Sequence, residues 1–184
     1  MKLLRLLVLS LACVLAALPL CGQAQDRPAD PWRPIQRLLG DWVGTTEGQA
    51  GTASVSRRYA QVLRGRFVHE TNMSTYPPQE RNKAGEVHEH TGMFSHDKAR
   101  KVLVLRHFHI EGFVNTYRQV SEPGAALLVF ESEVFENFNN AWKARETYEF
   151  TGDDEFVETF ELAPPGKPFQ VYSRTQLKRM RPAQ

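Results

Sequence analysis

From residue 41 onwards the chain alternates between apolar and polar residues along runs of eight to eleven residues. These runs are rich in β-branched and aromatic side chains, and short segments carrying Gly, Pro, Asn and Asp separate them. Period-two runs bounded by turn residues are typical of antiparallel strands joined by tight turns. The pattern predicts ten strands, over residues 41–48, 53–63, 66–76, 86–95, 100–110, 113–120, 125–135, 141–151, 155–162 and 169–178.

One short helix is predicted before the strands. Ile35, Leu38 and Leu39 have helical spacing within residues 32–39, and Gly40 would end such a helix. Ten short strands joined by short turns predict an all-β fold, an up-and-down antiparallel barrel of about ten strands, because closure removes exposed sheet edges. A barrel with this number of strands has room inside for a small ligand.

The first 24 residues have the layout of a signal peptide. Lys2 and Arg5 make a basic start, an apolar run covers residues 6–20, and small residues stand near Ala24. The run is too short for a good membrane anchor. We therefore expect an exported protein, periplasmic or secreted, with a signal peptide over 1–24, a polar tether over 25–34 and a barrel domain over 35–180. No transmembrane anchor is expected after processing.

The charge balance argues against nucleic acid as a partner. Without Lys2 and Arg5, 21 basic residues face 21 acidic ones, so the expected mature chain has no basic field for nucleic acid or a membrane surface. Both cysteines, Cys13 and Cys21, lie in the predicted signal peptide. The mature chain would then have neither a disulfide nor thiol chemistry.

Histidines are concentrated in one predicted hairpin. His88 and His90 share one face of the strand over 86–95, and His107 and His109 share one face of the strand over 100–110. A four-residue turn at 96–99 brings all four to one side, with His90 opposite His107 or Leu105. A turn with an odd number of residues would put the two pairs on opposite faces.

Two interpretations of these four histidines remain open from the sequence. Pointing inward, they can bind a divalent metal or a haem iron, and binding should weaken as they protonate below roughly pH 6. Pointing outward, they are solvent-exposed residues on the outer face of the sheet. This interpretation is favoured because the sequence has no compact ligand motif such as HExxH. In that case Arg106, Asn115 and Tyr117 would line the cavity. Carboxylates such as Glu158 and Glu161 are expected to be solvated strand residues.

The start of the first strand resembles that of the lipocalin-like, or calycin, barrels. Gly40-Asp41-Trp42 matches their glycine-x-tryptophan signature. In those barrels the tryptophan closes one end and a basic residue of the last strand packs over it. The resemblance implies structural roles for Gly40 and Trp42, and for Arg174 or Lys178 as the cation.

Two phrases are also similar to the nitrobindin family, whose ten-stranded barrels hold haem in the mouth. They are GDWVG followed by EG at 40–48, and HEHTGMF at 88–94. Nitrobindins ligate iron through a histidine on the final strand, and residues 169–178 contain none. If haem binds, the hairpin histidines would have to ligate it, with Tyr172 as a weaker candidate.

Taken together, the sequence predicts an exported barrel that binds a small hydrophobic or amphipathic molecule in its interior or mouth. The alternatives are a haem-binding, nitrobindin-like protein with a different histidine ligand, and an enzyme that uses a His/Arg/Tyr pocket. GxSxG, P-loop, GxGxxG and zinc-finger spacings are absent from the sequence, which makes catalysis the less favoured class. The sequence leaves the ligand, any metal, any cofactor and the oligomeric state open.

Overall fold

The computed structural model describes residues 30–80, 82–122 and 124–181. The predicted signal peptide and the first five residues of the predicted tether lie outside this range. A short 3-10 helix, η1, covers Arg33–Leu38 and has a proline in its first turn. Within the described residues no helix is both long enough and apolar enough to span a membrane.

Ten strands follow, and they close into one antiparallel barrel. Each strand pairs with its neighbours in sequence, and β1 pairs with β10 to complete the ring. The all-β, ten-stranded up-and-down barrel predicted from the sequence is confirmed, and no strand end differs from its predicted position by more than two residues. The bounds are β1 Gly40–Gly48, β2 Gly51–Val62, β3 Phe67–Tyr76, β4 Glu86–Asp97, β5 Val102–His109, β6 Val114–Gln119, β7 Leu127–Glu136, β8 Lys143–Phe150, β9 Glu155–Ala163 and β10 Gln170–Arg179.

Trp42 closes one end of the barrel, which we call the base. Its side chain is fully buried, its indole Nε1 donates a hydrogen bond of 2.6 Å to the Leu38 carbonyl oxygen, and its ring meets the edge of Phe156 at 4.7 Å. Helix η1 buries Ile35 and Leu38 in the same cluster. The helix is thus a cap that Trp42 fastens to the barrel.

The cation over Trp42 is Arg179, so the prediction of Arg174 or Lys178 was wrong. The Arg179 guanidinium lies 4.2 Å from the centre of the indole ring, and Arg179 is the cross-strand partner of Trp42. Arg174 pairs with Glu47 and is exposed. Side chains alternate along β10, and Thr175 and Leu177 are buried, so Arg174 and Lys178 point outward.

Aromatic side chains fill the barrel next to the base. Phe94, Phe130, Tyr148 and Phe156 are fully buried, and neighbouring ring centres lie 5.7 to 6.1 Å apart. Tilted and edge-on contacts of this kind stabilise a core beyond the area that they bury. Two residues further along most strands the inward side chains become polar, and that change marks the floor of a cavity.

Candidate functional site

The β4–β5 hairpin brings the four histidines to the inner face of the barrel. Its turn has four residues, 98–101, and starts after Asp97, whose Oδ1 accepts 3.0 Å hydrogen bonds from the backbone N–H groups of Ala99 and Arg100. The register therefore places His90 opposite His109. The predicted registers put His90 opposite His107 or Leu105, so the observed one differs by two or four residues; the parity is the same, and all four histidines stay on one face.

A cavity of about 510 Å³ opens at the end of the barrel opposite Trp42. Its lower part is polar and its upper walls are largely aromatic. Six of the seven ligand-binding residues named from the sequence line it: His88, His90, His107, His109, Asn115 and Tyr117.

Arg106, the seventh, lies outside the cavity. It is exposed and donates a long hydrogen bond, 3.4 Å, to the Ser95 hydroxyl on the outer face of the barrel. Because His107 is buried and points inward, the preceding residue must point outward. The prediction that Arg106 lines the cavity is therefore wrong.

The cavity floor is a buried network of charges centred on Glu70. The Glu70 carboxylate lies 3.2 Å from His90 Nε2, 3.2 Å from His107 Nε2 and 3.4 Å from Arg57 Nε. The second ring nitrogen of His107, Nδ1, lies 3.2 Å from Glu146. Buried charges are costly unless they are paired, and this arrangement gives each of the two cations two carboxylate partners.

Arg57 extends the network towards β9. Its Nη2 lies 2.8 Å from Glu158, and its Nε donates a 2.8 Å hydrogen bond to Asn72 Oδ1. Arg57 and Glu158 are both buried. The expectation that Glu158 is a solvated strand residue was therefore wrong.

Sequence reasoning missed the acidic members of this floor. Glu70, Glu146 and Glu158 are each two residues from a buried hydrophobic residue of the same strand: Val68, Tyr148 and Phe156 respectively. Once the inward face of each strand is known, period-two counting from these buried residues places all three glutamates inside. They were not predicted as buried because glutamate side chains are usually exposed to solvent.

The His107 imidazole is held in its protonated form. Burial alone lowers the pKa of His107, but the carboxylates of Glu146 and Glu70 outweigh it and raise that pKa to about 10. For Glu70 the balance has the opposite sign: burial raises its pKa, and the charges of His107 and Arg57 bring it well below the usual value. His107 and Glu70 therefore form a true ion pair in the barrel interior.

The two histidines above the floor are neutral. Burial, assisted by the neighbouring charge on His107, lowers the pKa of His90 to about 4 and that of His109 to about 2. Burial also raises the pKa of Glu158, although Arg57 opposes it. Glu158 is thus the carboxyl of the floor with the greatest tendency to keep its proton.

Two buried polar atoms of the site have no hydrogen-bond partner among the described residues: His109 Nδ1 and Asn115 Oδ1. Both residues line the cavity. An unpaired polar atom in a protein interior costs about 1–3 kcal/mol. Such atoms are normally satisfied by water, an ion or a ligand.

The residues of the last strand do not fit haem held in the nitrobindin manner. The β10 side chains that line the cavity are Tyr172, Ser173 and Thr175, and a bulge between Val171 and Ser173 lets Tyr172 and Ser173 face it together. None of them offers an imidazole to an iron.

Comparison with known proteins informs the fold. The sequence matches no protein-family model and none of the curated proteins. The crystal structure of Rv2717c from M. tuberculosis is similar, with a TM-score of 0.61 and 19% sequence identity over 84% of this chain and 100% of that one. A more distant solved structure, EF1p2_mFAP2b bound to DFHBI, has a TM-score of 0.41 and 12% identity over 82% of this chain and 100% of that one. The likeness to Rv2717c supports the closed antiparallel barrel fold and shows nothing beyond the fold.

Proposed function

We propose that this protein binds one small amphipathic molecule in the mouth of the barrel, with the polar end of the molecule, neutral or cationic, on the charged floor. The observation that carries the proposal is the cavity itself. It has a volume of about 510 Å³, aromatic walls above, and a floor in which two buried cations face three buried carboxylates. Concave, mostly apolar sites with a few placed polar groups are the usual form of small-molecule sites.

The walls supply the apolar half of such a site. Phe113 and Phe135 each pack on Phe138, with ring centres 5.8 and 5.7 Å apart, and Phe138 meets Trp142 at 6.3 Å. The Phe138 side chain is 47% exposed. Covering apolar surface of this kind contributes about 25 cal/mol per Å², so an apolar or aromatic ligand would gain most of its binding energy here.

The floor selects the charge of the polar end. Arg57 and His107 are already paired with carboxylates, so neither cation is free for an anionic ligand. Glu86 and Glu111 add two further acidic side chains at the rim. An anionic head group would therefore pass the rim carboxylates and find no unpaired cation on the floor. Fatty acids are therefore poor candidates, and neutral or cationic amphiphiles are good ones.

A second part of the proposal is export, carried by the basic start and apolar run of residues 1–24. A binding barrel of this kind would then meet its ligand outside the cytoplasm.

Binding can be tested with three dyes that differ in charge: neutral Nile red, a cationic styryl dye, and anionic anilinonaphthalene sulfonate. Fluorescence titration of the untagged barrel should give saturable binding of the neutral and cationic dyes at one site per chain, and clearly weaker binding of the anionic one.

Two neighbouring residues of β3 provide a matched pair of variants. Ser74 is buried and lines the cavity, whereas Thr75 is exposed on the outer face. Ser74→Phe should fill the mouth and abolish dye binding, and Thr75→Phe should leave it unchanged. Equal binding by both variants, or preference for the anionic dye, would reject the proposed site.

A further inference from the structure

We propose that His88, His90 and His109 form a binding site for a divalent first-row transition ion, with Zn²⁺ as the reference, and that the ion keeps an open coordination position towards the cavity. The site would exist whether or not an organic ligand binds. It uses three histidines at the mouth and leaves His107 in the floor.

The backbone presents the three imidazoles to a common point. His88 and His90 are two residues apart on the inner face of β4, and His109 is the direct cross-strand partner of His90 on β5. Their ring centres lie 5.3, 5.7 and 6.0 Å apart, and one ligand atom from each ring lies within 4.8 Å of the other two. Imidazoles bound tetrahedrally at about 2.0–2.1 Å have ring centres about 5 Å apart, so small side-chain rotations suffice to close the site.

Each of the three rings has its other nitrogen held by a neighbouring side chain. His88 Nδ1 lies 2.8 Å from the Glu111 carboxylate, His90 Nε2 lies 3.2 Å from Glu70, and His109 Nε2 lies 3.2 Å from the Asn115 amide. Histidine ligands usually have one ring nitrogen on the metal while the other donates to a carboxylate or amide oxygen, which fixes the ring. The nitrogens left for an ion are His88 Nε2, His90 Nδ1 and His109 Nδ1.

The two unpaired buried atoms of the site belong to a proposed ligand, His109, and to its ring partner, Asn115. His109 Nδ1, the atom that would bind the ion, is buried without a hydrogen-bond partner among the described residues, and so is Asn115 Oδ1. A half-turn of the Asn115 amide exchanges its Nδ2 and Oδ1 positions, which are nearly isosteric. The oxygen would then accept a hydrogen bond from His109 Nε2–H, and Nδ1 would be free to bind the ion.

Two other groups of side chains in the described region have metal-like spacing, and both are weaker candidates. In the group of Glu70, His90 and His107, both ring nitrogens of His107 already face carboxylates. In the group of Glu86, His88 and Glu111, the two carboxylates are exposed and solvated. Among the described residues, the three-histidine group is the one in which each ring lines the cavity and keeps one nitrogen that is not paired with a neighbouring side chain.

The donor atoms determine the class of ion. Three imidazole nitrogens suit Zn²⁺, Co²⁺, Ni²⁺ or Cu²⁺, whereas Ca²⁺ and Mg²⁺ prefer oxygen. Glu70 and Glu111 stand behind the ligands and offset the positive charge of the ion. Three protein ligands leave a position for water or for an atom of a bound molecule, as in open zinc sites.

The test is calorimetric titration of Zn²⁺ into untagged, chelator-treated protein, with Co²⁺ as a second probe whose visible absorption strengthens in four-coordinate sites. We expect one ion per chain. His88→Ala, His90→Ala and His109→Ala should each weaken binding at least tenfold, and Glu111→Gln should weaken it by about 10–100-fold through loss of the ring partner.

Two variants on the same strand act as controls. Glu89→Gln makes the same charge change on the outer face between His88 and His90, and His96→Ala removes a histidine at the far end of β4. Both should bind Zn²⁺ like the wild type, with melting temperatures of all variants confirming that the barrel is intact. Unchanged affinity in His90→Ala and His109→Ala, or an equal loss in His96→Ala, would overturn the site. No organic ligand is present, so the result is independent of the dye experiments.

Discussion

Gly92 and His107 face each other across strands β4 and β5, and the missing side chain of Gly92 is what lets His107 reach Glu70. A Cβ atom on Gly92 would lie 2.9 Å from His107 Cδ2 and 2.8 Å from Glu70 Oε2. Glu70 in turn is the partner of Gly92 on its other side, in β3. One glycine therefore makes room for the central ion pair of the cavity floor.

Gly92→Ala should destabilise the barrel by about 1–3 kcal/mol, the usual cost of overpacking a well-packed interior. The physical reason is that the added methyl group pushes apart two buried, paired side chains. Urea unfolding followed by tryptophan fluorescence measures the change. Gly152→Ala is the matched control, because a Cβ there has no heavy atom within 4 Å. Equal stability of the two variants would contradict the crowding argument.

The buried carboxylates should differ in how they tolerate loss of charge. Glu70→Gln leaves His107 and Arg57 each short of a partner and should cost about 3–5 kcal/mol, as when one member of a buried ion pair is removed. Burial raises the pKa of Glu158 although Arg57 opposes it, whereas the pKa of Glu70 is lowered, so the charged form of Glu158 is the less favoured of the two. Glu158→Gln should therefore cost no more than about 1–2 kcal/mol. Chemical denaturation at pH 7 measures the free energy of unfolding of both variants. A larger loss of stability in Glu158→Gln than in Glu70→Gln would refute the assignment of charges.

Trp42→Ala should destabilise the protein by about 3–5 kcal/mol, as for a large aromatic side chain removed from a core. The indole is fully buried, packs on Phe156 and carries the hydrogen bond that holds helix η1. A thermal melt followed by circular dichroism measures the loss. An unchanged melting temperature would show that the base does not depend on this residue.

Arg179→Ala should cost about 1–3 kcal/mol, because its guanidinium packs on Trp42 and donates hydrogen bonds to the carbonyl oxygens of Arg37 and Leu39. Arg174→Ala is the control: this exposed arginine on the same strand should change stability by less than about 0.5 kcal/mol. If Arg174→Ala proved the more harmful change, the assignment of Arg179 as the cation over Trp42 would fail.

Export predicts a shortened chain in the native cell. A signal peptidase that reads the small residues before Gln25 should produce a mature protein beginning near that residue. N-terminal sequencing, or intact mass measurement of protein from the cell envelope or culture medium, tests this. Recovery mainly of the full-length chain from the cytoplasm would count against export.

The sequence by itself determined the architecture. Period-two alternation fixed the ten strands, and the turn residues between them set strand order, because each short connection forces antiparallel pairing with the next strand. Gly40 and Trp42 likewise marked the first strand and the base. Each of these features depends on a few residues that are neighbours in the chain. A single sequence is therefore enough to predict them.

Only the tertiary structure decided which polar face is inside. Several strands carry polar residues on both faces, so alternation alone does not separate Arg106, which points outward, from His107, which is buried. The register of the β4–β5 hairpin follows from where Asp97 caps the turn, two residues from the predicted position. Burial of Glu70, Glu146 and Glu158 becomes favourable only because Arg57 and His107, from other strands, meet them once the barrel closes. The Arg57–Glu158 and His107–Glu146 pairs join strands that are not neighbours in the sheet, so they depend on closure, and closure is a property of the whole sheet.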